Sequence, residues 1–202
     1  MVCGVGRLVR LAEQGLDCLS WYDDAQRQIS EVCRLASWDF VRFTECLAIT
    51  SPRCSVLRNI RRAFQWLEHR RHLSDTISSI RRSVSHWEET GELSTRPARG
   101  IKVKAFCSAL LGDRDAITLD TWMAEALWID QKYFQRKAER ELSFHLIRRT
   151  AKRIGQSPRD TQAAIWGGII RDFDQNPARL DLLAEWYRFE SLGRVYRNGV
   201  IS

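Results

Sequence analysis

Long apolar stretches are missing from this sequence. Nothing in it approaches the roughly 18 consecutive apolar residues that a membrane span needs, and Met1-Val2-Cys3-Gly4-Val5-Gly6-Arg7 lacks the apolar core of a secretory signal. A cytoplasmic chain with no membrane partner is expected. CxxC pairs are also missing. The six cysteines (Cys3, Cys18, Cys33, Cys46, Cys54, Cys107) are dispersed, several where a helix would bury an apolar residue, so reduced thiols are favoured over disulfides or zinc. His69, His72 and His86 have no Cys or acid at ligand spacing, and the first two flank Arg70-Arg71, which reads as a polar basic surface rather than a metal site. The sequence has neither a glycine-rich phosphate loop nor a GxSxG elbow, and no internal repeat that would build a solenoid. No metal or cofactor is expected.

What is present suffices for one sizeable core. Eight Trp and eight Phe in 202 residues supply it, while 28% charged residues and a mean hydropathy of −0.36 exclude membrane and disordered classes. The chain reads as a single domain over 1–202. Apolar residues recur at helical spacing: Leu57, Ile60, Phe64, Leu67; Ile77, Ile80, Val84, Trp87; Leu146, Ile147, Thr150, Ile154; Trp166, Ile169, Ile170, Phe173; and Leu180, Leu183, Ala184, Tyr187. Strand-type alternation does not occur, so the predicted class is all-α.

Boundary residues agree. Ser157-Pro158-Arg159-Asp160 offers a serine cap, proline in the first turn and an acid beside it, which predicts a helix start. Gly155 is a natural stop for the helix before it, Asn176-Pro177 separates the last two helices, and the final helix is expected to end near Gly193. Thr90 to Gly100 is the one loop-like stretch, and it divides the chain near its middle.

Charge is uneven. Residues 53–104 hold twelve Lys or Arg against five acids, an excess equal to the whole net charge of +7. Such concentration is the footprint of a phosphate-binding surface, or alternatively a set of solvated helix faces.

Directly after the loop, Gly100-Ile101-Lys102-Val103-Lys104-Ala105-Phe106 brings a glycine into a short helix with two lysines near its start. Free backbone N–H groups there suit an anion. The sequence continues through Leu110-Leu111-Gly112, where the helix is expected to end, to Leu119-Asp120-Thr121-Trp122. This arrangement resembles the helix-hairpin-helix DNA glycosylase superfamily, in which a glycine hairpin and a Lys-containing helix precede an apolar residue, the catalytic Asp and a Thr. Lys102 and Asp120 stand 18 positions apart, matching the separation of that family's catalytic pair. Leu47-Ala48-Ile49-Thr50-Ser51-Pro52-Arg53-Cys54-Ser55-Val56, with Asn59 and Ala63, resembles the family's early helix, duplex-probing turn and next helix. The likeness covers roughly residues 40–130, with helices of about 131–193 expected to pack with the N-terminal ones. The chain departs from the family pattern in having a single Gly100 in the hairpin, Trp122 where His is common and Pro52-Arg53 where Gln often stands. It also lacks the four-cysteine iron–sulfur loop, so the resemblance is to a distant, phage-type member.

The resemblance implies an all-α fold of two helical subdomains with a cleft between them, a monomer whose partner is double-stranded DNA. It also implies an enzyme that flips out a damaged or modified base and cleaves its N-glycosidic bond. Asp120 would be the carboxylate that steadies positive charge on the sugar, or only a helix N-cap. Lys102 would be an amine nucleophile, with Lys104 as the alternative in register, or a solvated lysine. Arg96, Arg99, Gly100 and Lys104 would hold phosphates. Arg53 would enter the duplex, or is an ordinary turn residue. Trp122 would stack on the extruded base, or is core. Two other readings share these residues: an enzyme of the same fold acting on a modified base in viral DNA, and a non-catalytic helical DNA-binding protein.

Overall fold

The structure, a computed structural model, describes residues 4–52, 54–69, 77–93, 100–177 and 181–198. Among these residues there are ten α-helices and no strand: α1 (Val5–Gln14), α2 (Trp21–Ala36), α3 (Phe40–Thr50), α4 (Val56–His69), α5 (Ser78–Thr90), α6 (Gly100–Leu110), α7 (Thr121–Leu127), α8 (Lys137–Ile154), α9 (Pro158–Asp172) and α10 (Leu182–Asn198). Short 3₁₀ turns at Leu16–Cys18 and Gln131–Gln135 complete the list. The all-α class expected from spacing is therefore what forms. Among the described residues no helix is long and apolar enough to cross a membrane.

By compactness the chain divides into two units, each made of two separate stretches: Met1–Asp24 with Thr95–Ala178, and Ala25–Ser94 with Arg179–Ser202. In the first, α1 packs on α9, α7 and α8, and α7 and α8 also meet α9. Leu8, Leu11, Leu119, Met123, Leu127, Ile147, Ile165 and Ile169 form its core, each such side chain contributing about 1.5–3 kcal/mol by leaving water. The α1–α9 crossing depends on glycine. A Cβ on Gly168 would lie 2.0 Å from the Leu11 carbonyl oxygen, and one on Gly15 2.0 Å from that of Ala164.

Capping sets the lengths of the helices in this unit. Ser157 Oγ accepts the Asp160 N–H at 3.1 Å and Pro158 follows it, so α9 begins where the sequence indicates. Gly155 takes φ 69° and its N–H donates to the Ala151 carbonyl, closing α8.

The second unit is built on aromatics. Phe43 and Phe64 stack at 5.7 Å, and Trp38, Trp186 and Phe189 surround Phe64. Ile60, Ile80, Val84 and Trp87 are buried as their spacing requires. The turn after α3 is secured from α4: Asn59 Nδ2 donates to the Leu47 carbonyl at 3.1 Å and Thr50 Oγ1 donates to Asn59 Oδ1 at 2.6 Å. Cys33 and Cys46 are buried thiols.

Helix α10 departs from expectation twice. It runs on to Asn198, since Gly193 by itself lowers helix propensity without ending a helix. Its buried face carries Leu182, Glu185 and Trp186, whereas Ala184 is exposed and Tyr187 is 60% exposed. The expected stripe of Leu183, Ala184 and Tyr187 is thus turned away by about one residue, because the larger Trp186 takes the inward position. Leu180 lies outside the described residues. Glu185 tolerates burial by accepting from Arg61 at 2.8 Å and Arg188 at 2.7 Å.

Candidate functional site

Helix α6 begins at Gly100, which is buried; Lys102 in its first turn is half-buried and Lys104 exposed. Arg53, Arg96 and Arg99 lie outside the described residues. The helix stops at Leu110, and Gly112, at φ 106°, turns the chain. Asp113 Oδ1 accepts the Asp115 N–H at 2.9 Å to fix that turn. Ala116 to Leu119 then runs buried without helix, held by the Thr118 N–H donating to Gln162 Oε1 at 2.8 Å.

This segment delivers Asp120 to the start of α7. Its backbone is extended, at φ −126° and ψ −169°, and its Oδ1 accepts the Met123 N–H at 3.0 Å. Among the described residues Oδ2 has no hydrogen-bond partner, and the residue is half-buried. The carboxylate therefore caps a helix with one oxygen and leaves the other available. Beside it sits the Tyr22 phenol, near Thr118, Arg159 and Gln162 as well. Burial, reinforced by the Asp120 charge, pushes that phenol well above its ordinary range, so it stays neutral.

Under Tyr22 lies a buried cation. The Arg159 guanidinium is 1% exposed and 5.6 Å from the Tyr22 ring. Its Nε donates to Asp160 Oδ1 at 2.8 Å, a terminal nitrogen donates to Asp23 Oδ1, and the other reaches the Ala109 carbonyl at 3.5 Å. Burial works against the charge, but the two carboxylates outweigh it and raise the guanidinium pKa. Ala109 on α6, Asp23 on α2 and Asp160 on α9 are thus tied to one charge next to the Asp120 segment.

Residues 11–172 match the family of unknown function DUF7178. The chain belongs to that family. No curated protein and no solved structure matches it. In this DUF7178 member the matched span takes in Tyr22, Lys102, Asp120 and Arg159, and leaves α10 outside it.

Lys102 shares a cavity with the residue before Asp120 and not with Asp120 itself. Lys102 and Leu119, the residue before Asp120, line one small cavity with Ile101, Ile117, Phe134, Arg140 and Phe144. Its volume of about 20 Å³ admits a water molecule but not a nucleobase, since ligand pockets run to several hundred Å³. Among the described residues no ion pair joins Lys102 to Asp120. Trp122 faces the core of its unit, half-buried, with its ring edge-on to Phe173 at 5.7 Å.

The concentrated charge of residues 53–104 is divided between the two units. Arg58, Arg81 and Arg82 are exposed in one, Lys104 in the other. Arg62 is buried and Arg61 bonds Glu185, so neither adds to an open basic surface. Among the described residues no three His, Cys, Asp or Glu side chains group as a metal site.

Sequence reasoning missed Tyr22, Asp23, Arg159 and Gln162. The Ser-Pro-Arg-Asp stretch shows where α9 starts, but an arginine at a helix start reads as solvated. Only the buried Ala163-Ala164-Ile165 run after it hints that α9 is covered on nearly all sides.

Proposed function

We propose that this DUF7178 member is a DNA-binding, glycosylase-like enzyme that extrudes a damaged or modified base and cleaves its N-glycosidic bond, with Asp120 as the catalytic carboxylate. One observation carries the reading: a carboxylate is fixed by its own helix with one oxygen unengaged, directly after Leu119, which lines a small cavity together with Lys102. Fixed charge of this kind is what a transition state with developing positive charge requires, since no reorganisation is needed as the reaction proceeds.

In the proposed reaction the C1′–N bond breaks and its electron pair leaves with the base, which gains a proton. The sugar C1′ is then attacked by water, or by the Lys102 amine, which would leave an imine on the sugar. The cavity would have to widen to admit a base, through movement of Phe134, Arg140 and Phe144. Tyr22 and the Arg159 cluster would be positioning groups that hold the 116–120 segment in place. Gly100 and Lys104, with Arg96 and Arg99, would meet the phosphates, and Trp122 would back the α7 helix rather than stack on the base. The glycosylase-like architecture, the duplex partner and a monomeric state belong to the same proposal.

A panel of lesion-bearing and modified duplexes, scored for free base and for abasic sites, tests it. Release from one member is the expected result. Borohydride trapping on that substrate, lost in Lys102→Ala and kept in Lys104→Ala, assigns the amine. A panel with no released base, together with tight duplex binding, favours the non-catalytic reading, which the cap bond of Asp120 to Met123 already suits.

A further inference from the structure

Trp128 is the least economical residue in the first unit. It closes α7 in the left-handed region, at φ 55° and ψ 42°, where glycine is the usual occupant and a bulky side chain is strained. Such strain is normally offset by burial, yet the indole is 63% exposed. Its principal partner is Arg7, whose guanidinium lies over the ring at 4.3 Å and whose Nε donates to the Ala126 carbonyl at 3.1 Å. The arginine is thereby fixed by the same helix end that presents the tryptophan.

Five residues on, Tyr133 is flanked by cations in the same way, with Lys132 5.6 Å and Arg136 4.9 Å from its ring. Asp130 and Glu139 pair with Lys132 and Arg136. Arg7 and the exposed Lys137 make no ion pair among the described residues, so the patch keeps a positive surplus. An exposed indole and a half-buried phenol alternating with cations match the chemistry of unstacked DNA: bases lie on the rings and phosphates meet the cations. A peptide partner would call for a wider apolar surface, and nothing here supplies one.

We propose that Trp128, with Arg7 behind it and Tyr133 beyond it, is a stacking platform for an unpaired base of a DNA strand. The proposal rests on the reading of DNA as partner. Asp120 and Trp128 stand at opposite ends of α7, about 12 Å apart at 1.5 Å per residue, a span of three to four nucleotides at about 3.4 Å each. The platform would therefore take a base displaced near the one being processed, and not that base itself.

Strain and stacking separate in one variant. In Trp128→Gly the backbone strain is relieved and the ring removed, so the thermal midpoint should hold or rise. Affinity for a fluorescein-labelled single-stranded oligonucleotide, read by anisotropy at low salt, should fall about fivefold to a hundredfold, the range for one base–aromatic stack. Trp128→Phe should retain most of the affinity, and Arg7→Gln should lose part of it. A Trp128→Gly protein that binds the strand like the parent overturns the platform, as does a Trp128→Phe protein that binds as poorly as Trp128→Gly. If the midpoint falls in Trp128→Gly and returns in Trp128→Phe with no separate change in affinity, the ring is packing and the proposal also fails. A parent protein that binds neither strand nor duplex overturns the DNA reading itself.

Discussion

Replacing Arg159 with methionine keeps most of the side-chain volume and removes the buried charge beneath Tyr22. Asp160, 8% exposed at its side chain, then loses its cation, whereas Asp23, at 45%, can turn to water. Removing one partner of a buried pair costs about 3–5 kcal/mol because the other charge remains buried. Here Asp160 also sits in the first turn of α9, where the helix dipole offsets about 1–2 kcal/mol. The net loss should be about 1–4 kcal/mol, and in a chain of this size each kcal/mol lowers the thermal midpoint by roughly 2–4 °C. Differential scanning fluorimetry should therefore show Arg159→Met melting about 2–16 °C lower. Adding Asp160→Asn should restore part of that, while Asp23→Asn alone should cost no more than about 1 kcal/mol. Arg159→Met within 1 °C of the parent, or Asp23→Asn as damaging as Arg159→Met, would refute the account of a buried tie at the site.

Two further outcomes follow from the first unit. Gly168→Ala forces the α1 and α9 backbones apart, so despite alanine's better helix propensity the variant should lose about 1–3 kcal/mol in urea unfolding; an unchanged midpoint would contradict the close approach. Because burial holds the Tyr22 pKa above its unfolded value of 10, stability from this group is intact below pH 10. It then falls by about 1.4 kcal/mol per pH unit above that, as the unfolded chain loses its proton first. Tyr22→Phe should flatten that alkaline decline, seen by comparing unfolding curves at pH 9 and pH 11.

Local chemistry was legible in the sequence wherever it acts through neighbours along the chain. Ser157 and Pro158 start α9, Gly155 ends α8, Gly112 turns the chain and Asp120 caps α7, each by a bond within four residues. Asp120 as a cap was legible for the same reason, whereas its catalytic role was read from the family resemblance. What escaped depends on residues far apart. Arg159 is buried because Asp23 lies 136 positions away in sequence, and the inward face of α10 is chosen by Phe64 and Trp38 accepting the Trp186 ring. Trp128 escaped for another reason: a left-handed tryptophan contradicts the residue preferences from which helix ends are read.

The most direct measurement is single-turnover base release by Asp120→Asn on the best substrate of the duplex panel. Asparagine caps a helix about as well as aspartate, so the melting temperature should stay within the equivalent of about 1 kcal/mol. Loss of the preorganised charge should slow release by on the order of a hundredfold or more. Release at the parent rate by a stable Asp120→Asn protein would contradict the catalytic assignment and leave Asp120 as the cap of α7.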